Sequence, residues 1–331
     1  MARIESSVEG TIQSVEADAS GAGVIIQAIG VTIRFLPGST SSGRTKTIKT
    51  PTNTLTPAQL RDKTKFRGRV EEGFVGGTVI AEGFYDTDLG LLDADFLQVE
   101  PGETVLLGAL TENLPGPPRS LKINKAPVVM LNDPRLSSNP ENPAVPVFLN
   151  QYALPMKIDS AAIVTPTPDP NPTLVPTSAE GYFAGGVFHA FLFEYGGTGI
   201  LAVDPRTTPQ ISMIRAQYRD RGAQFEVDAR GFLTTAHAPP GSPPQSVEVY
   251  RVDIDPTTGK RVETPLDRAT IDTREPGFER WRLVVRRNKS GPFQGIPTAI
   301  VVKNHSGIVP ASGTQPAHPA TAELEPDVRE E

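Results

Sequence analysis

Four aspartates crowd into the run DTDLGLLDAD: Asp86, Asp88, Asp93 and Asp95. Carboxylates at this density suit a hard cation such as Ca²⁺, which gathers several oxygens at about 2.4 Å. On a hairpin, Asp86 and Asp88 can share a face with Asp93 or Asp95. The spacing fits no EF-hand loop, however, and a second copy of the segment carries Ala184 and Gly186 where Asp86 and Asp88 stand. A solvated acidic turn is the expectation, and Ca²⁺ is the one ion the cluster would suit.

A second candidate is cationic. In KFRGRV, Lys65, Arg67 and Arg69 alternate, so a strand there would line them along one face. With Phe84 on a neighbouring strand, they would offer a positive groove beside an aromatic platform, the chemistry that holds single-stranded nucleic acid or an oligosaccharide. The second copy has Ile163, Thr165 and Thr167 at these positions, so the set is not repeated. A third candidate lies further on. Arg215, Arg219 and Arg221 make that region locally basic, and in the run ERWRLVVRR the residues Arg280, Arg282 and Arg286 fall on one strand face. Trp281, Val285 and Arg287 fall on the other. Such a face suits an acidic partner, including another copy of the chain.

Other chemistries lack their residues. Gly38 to Thr45 (GSTSSGRT) nearly spells a phosphate-binding loop, but Arg44 replaces the required lysine. The following TKTIKTPTN is β-branched and broken by Pro51 rather than helical. His189, His237, His305 and His318 have no metal-ligand spacing, and His189 sits in an apolar strand as an expected hydrogen-bonded structural residue. No GxSxG elbow exists. Cysteine is absent, which removes disulfides, thiol catalysis and cysteine-ligated metal sites. The Asn288-Lys289-Ser290 and Asn304-His305-Ser306 triplets carry little weight without a signal sequence. The expectation is a non-enzymatic protein with no cofactor.

The elements that must position these residues emerge when the chain is compared with itself. Gly10 matches Gly108, and Ala81-Glu82-Gly83-Phe84 matches Ala179-Glu180-Gly181-Tyr182, both at an offset of 98. ADFLQVE from Ala94 then resembles HAFLFEY from His189. The duplicated module covers 1–101 and 102–197. Each copy shows alternating and β-branched runs, and TPAQLRDK in the first predicts a short helix with Thr56 as N-cap and Pro57 at the first helical position. KFRGRV, TVIAEGFY and ADFLQVE read as strands, and together they predict a small closed barrel, OB-like, with the helix between its third and fourth strands. On the AEG-[FY] strand and the preceding helix, the pair resembles OB-like barrel repeats of bacterial multi-domain proteins; the resemblance carries over no functional residue. The Pro-rich stretch at 164–176 reads as an extended loop.

Residues 198–209 read as a linker. From 210 to 309, short alternating runs separated by Gly, Pro and Asp turns predict an immunoglobulin-like β-sandwich with Trp281 as a core anchor. Residues 310–331, rich in Pro, Ala and acids, predict a flexible tail. The fold class is therefore all-β: two tandem barrels, a sandwich and a tail.

Composition agrees. Pro and Gly number 33 and 30 of 331 residues, above the usual share but short of a low-complexity chain, and the hydrophobic 37% is enough for packed cores. A net charge of −6 sets the expectation against a general nucleic-acid binder. No apolar run is long enough for a membrane-spanning helix and no N-terminal signal is visible, which leaves the cytoplasm, a virion or a signal-independent export route as the expected settings. The partner expected is the protein itself or another protein, in a structural or adhesive assembly such as a filament, sheath or virion; the alternative is a ligand held on the barrels.

Overall fold

The computed structural model describes residues 3–40, 45–114, 120–136, 147–158, 175–255 and 260–330. The chain divides into two compact units, one formed by 1–149 and 158–199 and the other by 150–157 and 200–331.

Unit one begins with β1 (Arg3–Ala17), β2 (Val24–Ala28), β3 (Val31–Phe35), β4 (Thr47–Thr50), β5 (Asn53–Leu55), α1 (Pro57–Leu60), β6 (Thr78–Asp86) and β7 (Leu91–Glu100). β1 pairs with β2 and β6, β6 with β7, and β2 with β3; a parallel pairing of β3 with β7 closes a five-stranded barrel. β4 and β5 extend the sheet beyond β7. Closure removes the open edges that a five-stranded sheet would otherwise present. α1 begins as expected: Thr56 accepts from the Gln59 backbone, and the Gln59 side chain accepts in return from the Thr56 N–H.

The second repeat supplies β8 (Thr104–Leu114), β9 (Ser120–Ile123), β10 (Ala126–Met130), β11 (Val147–Leu149), β12 (Pro176–Ala184) and β13 (Val187–Tyr195). β10 and β13 pair in parallel and close a second five-stranded barrel. The 98-residue offset is a register identity. Gly10 faces Val79 as Gly108 faces Thr177, and Val8 faces Ala81 as Leu106 faces Ala179. The repeated glycines have steric reasons. Opposite Gly83 and Gly181 the partner strands β7 and β13 bulge at Asp95 and Phe191, and a Cβ on either glycine would stand 2.1 Å from the Asp93 carbonyl oxygen or 1.9 Å from that of His189. Gly10 and Gly108 lie beneath the tips of the β2–β3 and β9–β10 hairpins, where a Cβ would collide with Ile29 or Asn124.

The two repeats share one hydrophobic core. Leu131, Leu136, Tyr182 and Phe191 of the second pack with Phe66, Phe74, Leu60 and the barrel interior of the first. The joint is sealed by Arg135, whose side chain is 3% exposed. Its guanidinium lies 4.0 Å from the Phe66 ring centroid, donates to the carbonyls of Asp62 (3.0 Å) and Thr64 (2.9 Å), and pairs with Asp133 at 2.7 Å.

Unit two holds β14 (Arg215–Arg221), β15 (Gln224–Thr234), β16 (Val247–Ile254), β17 (Arg261–Arg268), β18 (Thr270–Glu275), β19 (Phe278–Asn288), β20 (Ala299–Val309), β21 (His318–Leu324) and β22 (Asp327–Glu330). They form two sheets, ordered β18-β19-β15-β14-β22 and β17-β16-β20-β21. Trp281 is fully buried in their shared core with Tyr218, Phe225 and Ile300, and its indole N–H donates to the Ser212 carbonyl at 2.9 Å.

The C-terminal segment departs from the expected flexible tail. β21 adds to β20 at one sheet edge, and β22 adds in parallel to β14 at the edge of the other. Its composition is that of a tail, but Ala320, Ala322 and Val328 face the sandwich core, while the neighbouring strands satisfy its backbone. Arg261 of β17 reaches Glu323 of β21 in a bidentate pair at 2.8 and 2.9 Å. The Pro-rich stretch at 164–176 lies outside the described residues up to 174; Pro176 opens β12.

Candidate interaction surfaces

Three of the four aspartates of the 86–95 turn go to separate partners, and Asp88 is exposed. Asp86 is buried at the hairpin end, where one carboxylate oxygen accepts from the backbone N–H groups of Asp88 and Leu89 at 3.0 Å each. Asp93 forms a bidentate pair with Arg34 at 2.6 and 2.8 Å, and Asp95 pairs with Lys46 at 2.8 Å. Among the described residues no three His, Cys, Asp or Glu side chains gather into a group that could hold a metal ion.

The cationic strand expected at 65–70 does not form. Residues 65–70 run as loop and turn, with Gly68 at φ +80°. The cause is Phe66, which turns inward to meet Phe74 edge-on at 5.0 Å between centroids, drawing the segment onto the barrel as a plug. Lys65 and Arg67 are exposed, whereas Arg69 is absorbed into structure. Its guanidinium donates to the carbonyls of Pro101 and Val75 and lies 5.5 Å from the Tyr182 ring centroid. Phe84 sits on β6, partly buried, facing Glu5 and Asp93 across the sheet. Burial pushes the Tyr182 hydroxyl up to about 12, and that hydroxyl donates to the Arg67 carbonyl at 2.7 Å.

The other singled-out positions are structural. His189 stacks on Tyr182 with ring centroids 5.3 Å apart, its Nδ1 has no hydrogen-bond partner, and burial holds the imidazole below its ordinary pKa. Stacking on Tyr182 and a backbone hydrogen bond with Ala184 hold the ring, as expected of a structural histidine. Asn304 is fully buried, donating to Gln245 and accepting from the Ser306 N–H. After the Gly/Ser loop at 38–45, of which 41–44 lie outside the described residues, the chain enters β4 and not a helix.

The arginine face is where sequence and structure converge. On β19, Trp281, Leu283 and Val285 point into the core, and Arg280, Arg282 and Arg286 point outward. Strand pairing adds more. Arg215, Arg219 and Arg221 of β14 lie on the same outer face, as do Arg230 of β15, Arg274 at the bulge of β18 and Arg329 of β22. Nine of the chain's 22 arginines, and no lysine, thus occupy one face of one sheet. The carboxylates there are Glu226, Asp228, Asp272, Glu275 and Asp327.

Glu226 sits among Arg219 (2.8 Å), Arg286 (2.8 Å) and Arg221 (3.7 Å), and its side chain is 10% exposed. Hydrogen bonding from Arg286 holds its carboxyl below the usual range, with Arg221 and Arg219 adding to the effect. Asp228 lies 3.4 Å from Arg215 and 3.8 Å from Arg282. Arg215, Arg230 and Arg282 stand directly opposite one another across three adjacent strands. Like charges at cross-strand positions are destabilising, and the Arg230 Nε is buried with no hydrogen-bond partner. The sequence alone pointed to β14 and β19; Arg230 was legible as well, because it alternates with Glu226 and Asp228, but its position between the two arginine strands depends on sheet order.

No helix among the described residues is long and apolar enough to cross a membrane. No family model, no curated protein and no solved structure matches the chain.

Proposed function

We propose that this is a non-enzymatic structural or adhesive protein that acts through protein–protein contacts, as a subunit of an assembly such as a filament, sheath or virion. The observation that carries the reading is the arginine face. Nine guanidinium groups against five carboxylates leave a surplus of four positive charges on one sheet face, in a chain whose net charge is −6. Arginine's planar, weakly hydrated fork suits carboxylate recognition, and arginine is enriched in interfaces where lysine is depleted. The row of opposed arginines raises the cost of leaving the face without an acidic partner.

The architecture supports the same reading. Five strands closed by a parallel pairing of the third with the fifth fit an OB-like assignment for each barrel. A sheet order of β18-β19-β15-β14 against β17-β16-β20 fits an immunoglobulin-like sandwich. Both are scaffolds on which surface residues, rather than the fold, define function. Light scattering and electron microscopy of the purified chain test the proposal. Higher-order species or a stoichiometric protein complex are expected; a strictly monomeric protein at every concentration, with no partner, overturns it.

The second reading, a ligand held on the barrels, keeps the OB-like closure as its support, with Lys65 and Arg67 as exposed cations. It predicts a salt-dependent shift with single-stranded oligonucleotides, and no binding at low salt ends it.

A further inference from the structure

The arginine face has a counterpart of opposite sign in unit one. Outward-facing positions of β1 and β6 place Glu5, Glu82 and Glu9 side by side: Glu82 faces Ser7, which lies between the two glutamates of β1. All three are exposed, and none makes an ion pair among the described residues. Glu100 at the end of β7, opposite Thr78, lies on the same face, with Glu103, which accepts from the Thr78 hydroxyl, and Glu180 of the second barrel near it. Burial raises the Glu100 and Glu180 carboxyls above their ordinary range, and neighbouring carboxylates raise them further: Glu103 and Glu9 act on Glu100, and Glu100 and Glu194 act on Glu180. Glu100, Glu103 and Glu180 form no ion pair either, among the described residues.

We infer that the arginine face of unit two in one copy docks on this carboxylate face of unit one in another copy, joining chains head to tail. This rests on the assembly reading above and names its partner: a second copy of the chain. Three observations lead there. Both surfaces are sheet faces, so their charges recur at matching strand spacings of about 4.8 Å. Each carries charge of one sign that the fold leaves in excess, which is unfavourable within a monomer and relieved by the other face. The four-charge surplus on the arginine face leaves an excess of ten negative charges on the rest of the chain, so a copy offers what the face lacks, while a free polyanion is repelled by the molecule as a whole. The two faces differ, so the contact is heterologous and each added copy exposes a fresh face of each kind.

The test uses two neutralised variants of the full chain, Arg282→Gln/Arg286→Gln and Glu9→Gln/Glu82→Gln, followed by sedimentation velocity at about 20 mM salt, where charges are weakly screened. Circular dichroism and thermal unfolding check that both retain the fold. The expected result has four parts. The unmodified chain forms concentration-dependent oligomers. About 300 mM salt weakens them at least tenfold. Each variant alone is monomeric. An equimolar mixture of the variants stops at a heterodimer, because each supplies the face the other lacks. Oligomers that persist in both variants, or that ignore salt, overturn this pairing of faces and leave the assembly reading intact. An unmodified chain that stays monomeric without any partner overturns both. A monomer that binds an oligonucleotide through Arg282 and Arg286 shows that the face takes phosphate, and the inference falls.

Discussion

The side chain of Asn124 lies over Gly108: Nδ2 donates to the Leu107 carbonyl at 3.1 Å, and Oδ1 accepts from the Ala109 N–H at 2.9 Å. A Cβ at 108 would stand 2.0 Å from that Nδ2. Asn124 and Lys125 form a two-residue hairpin turn with φ of +48° and +69°, and the first repeat builds the same turn from Ile29 and Gly30 at +44° and +81°. Asn tolerates the left-handed region; a β-branched residue does so only under strain. The first repeat therefore closes the same turn with a strained residue that cannot make the two hydrogen bonds.

Ile29→Asn should stabilise the chain by about 1 kcal/mol, through relief of backbone strain and hydrogen bonds to β1 of the kind Asn124 makes to β8. Gly181→Ala should do the opposite, since the obstructing atom is backbone, and cost about 3 kcal/mol or more. Urea denaturation of both variants checks the pair; a destabilised Ile29→Asn chain would mean that Ile29 contributes more by packing on Gly10 than its strain costs.

Arg135→Met should destabilise unit one by about 3 kcal/mol, because it orphans the Asp62 and Thr64 carbonyls and the Asp133 carboxylate while sparing most of the volume. Arg135→Lys should recover little of that loss, since an ammonium cannot reproduce the planar contact with Phe66 or the fork to Asp133. Thermal unfolding, with proteolysis to show which unit opens first, measures both.

Glu100 and Glu180 should make unit one less stable as pH rises. Their folded pKa values lie above the unfolded value of about 4.3, so the native state binds more protons than the unfolded chain between those values. Their favourable contribution is complete below the unfolded pKa and is lost as pH climbs through the raised folded pKa. Glu100→Gln/Glu180→Gln should therefore stabilise the chain at pH 7 and flatten the slope of stability between about pH 4 and 7. Unfolding curves across that range decide the matter, and an unchanged slope counts against it.

Removal of residues 318–331 should uncover the edges of β14 and β20, lower the melting temperature of unit two and promote aggregation through the bared strands. Glu323→Gln should cost no more than about 1 kcal/mol, because its pair with Arg261 is half exposed. If truncation leaves unfolding untouched, the C-terminal strands carry no stability.

Local signals made several features legible in the amino-acid order alone. Strand periodicity fixed which face of β19 is core, because side chains alternate regardless of what the strand packs against. The 98-residue offset was readable because glycines at a bulge and under a hairpin tip answer to backbone clearance, which recurs wherever the fold recurs. The helix at Pro57 was readable because a capping box is local chemistry. Three features were not legible. KFRGRV has a strand's alternation, yet the burial of Phe66 against Phe74 and Arg135 overrides it. The C-terminal segment has a tail's composition, yet two open sheet edges accept it. Arginines far apart in sequence became one face only when sheet order set β15 between β14 and β19. Periodicity and turn chemistry act over a few residues, so sequence alone can specify them; strand order and shared cores depend on long-range packing, which only the tertiary structure decides.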